Sequence, residues 1–448
     1  MTVGYDVVII GAGPAGLFAA YELKESPLSV LIIDRGGEPL KRKSWINGVG
    51  GAGAFSDGKL NLTHAIGGEP SDLQRSNEDI QDRIDRIDCV FTELGAEQDY
   101  SGLDSTAIIS LRKKAAKYGV EFIAGKQRHI GTDNLPRIMD NLYRMLQNEG
   151  IEFELNTDIR GIAKSEDGFV LKRDANTLHA THLIIAPGRA GAYWLRETAA
   201  KLGIEFRYGP IDVGLRLEFP SEIYDDVKNI MYDAKFRLFT PTHDDWVRTF
   251  CVNPEGFVSI EKYEDMILVN GHAAKRYKSG NTNLALLSRV ELTDPVEDTT
   301  AYGRAIVELA NTIGGGKPLL QRLKDLREGR RSTWKRISHS SISPTLKKVT
   351  PGDISMALPG RIMLNLLEAI ERINHLIPGI DAYDTFVYAP EVKFYDTKYK
   401  VTKNMESSLK NCYVAGDASG LARGIVYSAV TGMLAAEKIK KGRTSKPD

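Results

Sequence analysis

The sequence predicts an α/β fold in which a parallel sheet is assembled from distant parts of the chain, with a mixed-sheet α+β domain inserted between them. Three observations predict it. Two short, largely apolar runs near the start, Val7-Val8-Ile9-Ile10 and Ser29 to Ile33, flank one helical pattern from Leu17 to Lys24. Such runs suit strands buried on both faces, and strand-turn-helix-strand is the parallel crossover unit. Runs of the same kind recur far away, Leu183-Ile184-Ile185-Ala186 and Cys412-Tyr413-Val414-Ala415. From about Tyr208 the character changes to alternating strand-like segments, the pattern of a mixed or antiparallel sheet.

Each element follows in order. After the opening unit comes a glycine-rich stretch, Gly48 to Gly58, and then a mainly helical region from Ser71 to about Glu149. There Ile80-Ile84-Ile87 and Leu135-Ile138-Leu142-Met145-Leu146 carry helical spacing. Ile151 to Ile162, Gly168 to Arg173 and His182 to Ala186 read as strands, as do Asp212 to Leu217, Lys235 to Phe239 and Val247 to Val252. Helices are expected around Thr300–Asn311 and Ile362–His375. Strand character returns from Ala389, and a last helix runs from Gly424 to about Lys440, with a frayed tail over Lys441–Asp448.

At about 150 residues per domain, 448 residues predict two or three domains. Lys+Arg and Asp+Glu both number 59, so formal net charge is zero. A chain built to coat nucleic acid or an anionic membrane is normally basic, so neither partner is expected. No apolar run is long enough to span a membrane. The run Val7 to Ile10 lacks a basic leader and a cleavage site, so no secretory signal is expected. Three scattered cysteines, Cys89, Cys251 and Cys412, with no CxxC, argue against a disulfide framework, a zinc site or a dithiol pair. A reducing cytoplasm is the expected location.

Two motifs carry the chemistry. Gly11-x-Gly13-x-x-Gly16 lies between strand and helix, with Pro14 and Ala15 inside the turn. Gly11 allows the tight turn, Gly13 lets backbone approach a pyrophosphate, and Gly16 lets helix and strand pack closely. The helix start then directs its free N–H groups and positive dipole end at phosphate. Asp34 ends the next strand, where a carboxylate accepts from a ribose hydroxyl pair and disfavours a 2′-phosphate; Arg35 beside it is the counter-evidence. The second motif is Gly416-Asp417-Ala418-Ser419-Gly420, after the last strand. Asp417 there can reach the ribityl chain and pyrophosphate of a long dinucleotide. The helix opening at Gly424-Ile425 can face the pyrimidine end of an isoalloxazine and stabilise negative charge on it. Together these select FAD over NAD.

With those residues in view, the chain resembles the two-dinucleotide-binding-domain flavoproteins of the glutathione-reductase-like superfamily, and within it the FAD-dependent dehydrogenases named for their cofactor. The resemblance runs through Asp6 to Gly16, Gly50-Gly51-Ala52-Gly53-Ala54-Phe55-Ser56-Asp57-Gly58-Lys59-Leu60, His129 to Leu135, and Gly416 to Gly424. It implies a discontinuous Rossmann-like FAD-binding domain. It also implies that Gly51, Ala52 and Gly53 border the flavin, with Ser56 able to donate to the ring edge and Lys59 able to neutralise phosphate or a reduced ring. Ile151 to Ile162 resembles the strand that clasps the adenine, with Ile159 as its hydrogen-bonding residue. Ala186 and Gly188 are further cofactor contacts. There Ala186-Pro187-Gly188 departs from the more usual Ala-Thr-Gly, and the proline removes one N–H donor.

The domains expected are FAD-binding pieces at 1–64, 121–204 and 385–448, a helical excursion at 65–120 and a substrate domain at 205–384. None of the eight histidines has HxH or HExxH spacing, so no metal site is expected. His272 lies where the resemblance puts the catalytic region and is the candidate proton-handling residue, alongside Lys59 and Ser56. Arg322 to Lys348 holds nine Lys/Arg against Asp325 and Glu328. It reads first as a solvated face, with an anionic substrate or an acidic electron carrier as the alternative.

The function expected is hydride transfer between a small organic substrate and non-covalent FAD, with NAD(P)H as a transient reductant. A flavin monooxygenase of the p-hydroxybenzoate hydroxylase type is the alternative, and a flavin-bound RNA-modification protein the remoter one.

Overall fold

The computed structural model describes residues 3–44, 46–56, 58–173, 176–263, 265–292, 298–394 and 397–444. It divides into two compact units. The first comprises Met1–Gln98, Ile130–Tyr208 and Thr397–Asp448; the second comprises Asp99–His129 and Gly209–Asp396. The region expected as one helical excursion is shared between them: the helix Asn77–Glu93 belongs to the first unit and the helix Ser105–Lys117 to the second.

The first unit is built on a seven-stranded sheet. Its order is Glu152–Leu155, Val30–Asp34, Val3–Ile10, Thr177–Ile185, Gly168–Lys172, Gly161–Ser165, with Cys412–Val414 also pairing on Thr177–Ile185. The runs read as buried strands run parallel: Val8 pairs with Leu31 on one side and Leu183 on the other. Val7, Val8 and Ile9 are completely buried, as strands covered on both faces require. The segments Gly168–Lys172 and Gly161–Ser165 add an antiparallel edge, so the sheet is mixed.

The strand expected over Ile151 to Ile162 is two strands. Asn156, at φ 54°, turns the chain out of extended conformation, and Thr157, Asp158 and Ile159 lie in the irregular connection between Glu152–Leu155 and Gly161–Ser165. Asn tolerates that backbone better than most residues. The helix Asn77–Glu93 starts where Ser76 Oγ accepts from Asp79 N–H, with Glu78 and Asp79 favouring the positive end of its dipole. Ile80, Ile84 and Ile87 form its buried face. The last helix, Gly424–Thr444, runs past the expected stop near Lys440. The rest of the tail, 445–448, lies outside the described residues.

The second unit carries an eight-stranded sheet in the order Thr350–Pro351, Leu319–Arg322, Phe386–Lys393, Ile211–Pro220, Asn281–Val290, Trp246–Asn253, Lys235–Phe239, Val120–Ile123. All pairs are antiparallel except the first. The strand Val120–Ile123 falls inside the region read as helical; its alternation of buried Val120 and Phe122 with exposed Glu121 is a strand period. A hairpin of Phe257–Tyr263 and Met266–His272 and the helices Thr299–Ile313 and Gly360–Asn374 also belong to the unit. Among the described residues no helix is long and apolar enough to cross a membrane.

Candidate functional site

The first glycine turn is forced by close backbone contact. Gly11 has φ +104°, and a Cβ there would overlap the carbonyl of Ala186, whose own N–H donates to Ile10 O at 2.8 Å. A Cβ at Gly16 would overlap Gly11 O. The helix Pro14–Leu23 starts at Gly13 with no side chain capping it. Its first N–H groups therefore point outward without a side-chain acceptor, the arrangement that receives an anion.

Three turns far apart in sequence meet in this unit. A Cβ built on Gly51 would lie 3.1 Å from Gly13 Cα, and one on Gly53 would lie 3.2 Å from Ile425 Cγ1 and 3.3 Å from Pro14 Cγ. A Cβ on Gly416 would lie 3.1 Å from Ala15 Cβ. Gly50 N–H donates to Ala12 O at 2.8 Å. The turns at 11–16, 50–56 and 416–425 thus form one cluster. At its margins Gly188 and Gly424 have positive φ, and nothing lies within 4 Å of the position a Cβ would take on either. An uncapped helix start with open glycine backbone around it fits a long dinucleotide.

The remaining expected residues fall as follows. Asp34 Oδ2 accepts from Ala12 N–H at 2.8 Å, and Oδ1 accepts from Gly36 and Gly48 N–H, both at 2.8 Å. Oδ1 has both acceptor sites filled, and Oδ2 keeps one. Arg35 turns away, donating to Asn47 Oδ1 and Ala190 O. Ala52 sits in the single 3₁₀ turn Gly51–Phe55. Ser56 donates its hydroxyl to Gly53 O at 2.8 Å, so donation to a ligand there requires rotation of that hydroxyl. Lys59 is buried on the short strand Lys59–Asn61, and Asp57 lies outside the described residues. Ile159 puts its side chain into the apolar core under the sheet. Asp417 accepts from Ser428 Oγ at 2.6 Å and pairs with Arg189 Nε at 3.3 Å.

Several residues that shape this cluster carry no motif. Arg42 donates to Asn47 O at 2.9 Å and Gly51 O at 2.6 Å and lies over the Phe55 ring. Burial lowers its pKa to about 10, with Asp34 pulling the other way. Thr431 Oγ1 accepts from Gly416 N–H at 2.8 Å. Ser428 and Thr431 sit on the last helix one turn apart, a spacing that could have flagged them once Asp417 was chosen. Gly432, on the same helix, packs against the backbone of Ala15.

His272 belongs to the second unit, at the end of the strand Met266–His272, where its ring stacks on Phe257 at 5.5 Å. Its strand is fixed by a buried polar network. Arg216, wholly buried, donates twice to Glu391 at 2.8 and 2.7 Å and to Asn283 Oδ1 at 2.8 Å, and reaches Asn270 Oδ1 at 3.3 Å. Lys393 pairs with Glu391 and Glu261, both at 3.2 Å. Among the described residues no cluster of His, Cys, Asp or Glu is placed to hold a metal.

Comparison with known proteins gives the following similarities. Residues 6–216 match the family described as FAD dependent oxidoreductase. Residues 210–394 match the family described as FAD-dependent protein, C-terminal domain-like. An uncharacterized protein of Clostridium beijerinckii is 26% identical over 476 residues, covering 96% of this chain and 80% of that one. The ribosomal RNA dihydrouridine synthase of Escherichia coli is 26% identical over 188 residues, 41% of this chain and 39% of that one. Among solved structures, the 3-ketosteroid-delta4-(5alpha)-dehydrogenase of Rhodococcus jostii aligns over 98% of this chain and 97% of that one, at 12% identity and a TM-score of 0.43.

Proposed function

Because the chain is an FAD-dependent oxidoreductase, we propose that it moves a hydride between a small organic substrate and non-covalent FAD held by the three turns of the first unit. The observation that carries the reading is the approach of Gly51 to Gly13 and of Gly416 to Ala15, which makes one cradle of three distant segments. When bound, the flavin supplies the hydride-carrying ring.

The chain's own residues do the binding. The uncapped helix start at Pro14 receives the pyrophosphate. Asp34 accepts from a ribose hydroxyl at the one Oδ2 site its three backbone donors leave. Asp417, steadied by Ser428 and Arg189, accepts from the ribityl chain. The helix start at Gly424 and Ile425 faces the ring. Lys59 and Ser56 would serve the ring edge, and His272 is the candidate for moving the substrate proton. NAD(P)H is the proposed reductant and the reducing cytoplasm the proposed location, supported by three cysteines that form no disulfide.

Purified protein should be yellow, and Gly13→Val or Asp417→Ala should remove most of the colour. Full FAD retention in Gly13→Val would overturn the reading. Anaerobic reduction followed by oxygen should give plain, slow reoxidation; a transient new absorbance band before it would mark oxygenation instead.

A second reading, modification of an RNA base by the bound flavin, is favoured by the similarity to a protein named ribosomal RNA dihydrouridine synthase. It would be recognised by RNA-dependent reoxidation of the reduced flavin.

A further inference from the structure

The stretch Arg322 to Lys348 holds nine Lys/Arg, and the structure sorts them into two groups. Four are engaged. Arg322 and Arg330 both pair with Asp325, which accepts from Ser332 as well. Arg327 pairs with Asp381, and Lys324 lies over the Tyr383 ring. The other five, Arg331, Lys335, Arg336, Lys347 and Lys348, have no carboxylate partner among the described residues, and all but Arg336 are exposed. The nearby acids are occupied elsewhere: Glu328 by Arg330, Asp353 by Ser355, and Asp384 by the N–H of Ser341.

The five cations lie on two short segments that meet at one apolar cluster. Arg331, Lys335 and Arg336 sit on and beside the single turn Trp334–Ile337, where Arg336 Nη1 donates to Arg331 O at 2.6 Å. Lys347 and Lys348 precede Val349, and Val349 and Ile337 share one small apolar cluster with Ile342 and Leu346. Trp334, which opens that turn between Arg331 and Lys335 in sequence, is 51% exposed. The platform is firmly held. Glu218, fully buried, accepts from Asn281, from Thr345 N–H at 3.1 Å and from the Tyr388 hydroxyl, and Asn281 also donates to Ser343 O.

We propose that this face docks single-stranded nucleic acid, with Trp334 as the stacking platform for a base and the five cations as phosphate contacts. Zero net charge over the whole chain argues against a coat of nucleic acid, but not against one local basic face. A single strand offers a phosphate at every link and a base face for the indole, so it engages the cations and Trp334 through one repeating chemistry. The inference deepens the RNA reading above but rests on the patch alone.

The test is fluorescence anisotropy of a 20-nucleotide, mixed-sequence, fluorescein-labelled single-stranded RNA with the holoprotein. Binding should weaken with salt, with a log–log slope near −3.5 for about five phosphate contacts. Trp334→Ala should weaken binding about tenfold. Lys347→Glu with Lys348→Glu should flatten the slope by more than 1. Each variant should keep the parent's flavin spectrum, which reports folding separately from binding. Absence of binding at 50 mM salt overturns the proposal, as does binding indifferent to Trp334→Ala. Stronger binding of poly-L-glutamate than of RNA overturns it in favour of an acidic protein partner. Colourless protein that still binds RNA this way would sink the flavin reading while supporting this one.

Discussion

Gly432 of the last helix lies directly against the carbonyl oxygen of Ala15, so closely that any Cβ at Gly432 would overlap it. Ala15 is part of the first glycine turn, and the helix holding Gly432 also supplies Ser428 and Thr431 to the Gly416-Asp417 turn. One glycine therefore sets the distance between the two turns proposed to hold the pyrophosphate and the adjoining ribityl chain.

Gly432→Ala tests that spacing. The overlap is with backbone, so one helix must shift, at a cost of about 1–3 kcal/mol by analogy with overpacked cores. Thermal denaturation should show the loss, and FAD titration of the apoprotein should show weaker binding. Unchanged melting and unchanged affinity would mean that the helices slide apart freely.

Arg42→Met keeps an apolar stem over Phe55 and removes the donors to Asn47 O and Gly51 O. Hydrogen bonds from charged groups contribute about 1.5–3 kcal/mol, so FAD affinity should fall tenfold or more as the loop at 48–55 loosens. Flavin fluorescence titration is the measurement. Arg42→Lys should recover only part of the loss, because an ammonium lacks the fork that spans two carbonyls.

Asp325 offers a pH test independent of the flavin. Burial opposes its ionisation, but hydrogen bonds from Arg322, Ser332 and Arg330 outweigh burial and hold its pKa at about 2. A carboxylate whose folded pKa is depressed contributes stability that is present above its unfolded pKa, near 3.8. That contribution is lost as pH falls through the folded value. The stability gap between wild type and Asp325→Asn should therefore be full at pH 6 and narrow steadily from about pH 5 to pH 3. A gap that stays constant over that range would show that Asp325 is not the titrating group.

What the sequence made legible was local. The buried parallel strands announce themselves as apolar runs, and Gly11, Gly13 and Gly16 sit where a strand meets a helix. The chemistry of Asp34 and Asp417 follows from the ends of those strands. Less legible was anything decided by tertiary contact. Gly432 looks like a minor defect in a helical pattern until Ala15 is placed against it. Arg42 looks like one of several cations in Lys41-Arg42-Lys43. The Ile151–Ile162 run keeps its strand-like composition, yet breaks at Asn156, because the chain crosses from the edge beside Val30–Asp34 to the antiparallel edge at Gly161–Ser165. The strand Val120–Ile123 was masked by helical neighbours on either side.

The strand Cys412–Val414 hydrogen-bonds alongside Leu183–Ile185, across more than two hundred intervening residues. Contacts that distant carry a large loop-closure entropy and form slowly. During synthesis the sheet edge at Leu183 must wait, unpaired, while the larger piece of the second unit, Gly209–Asp396, is translated and leaves the ribosome. Cofactor capture is therefore a late event in this protein's biogenesis, and a nascent chain stalled before residue 412 should emerge without bound flavin.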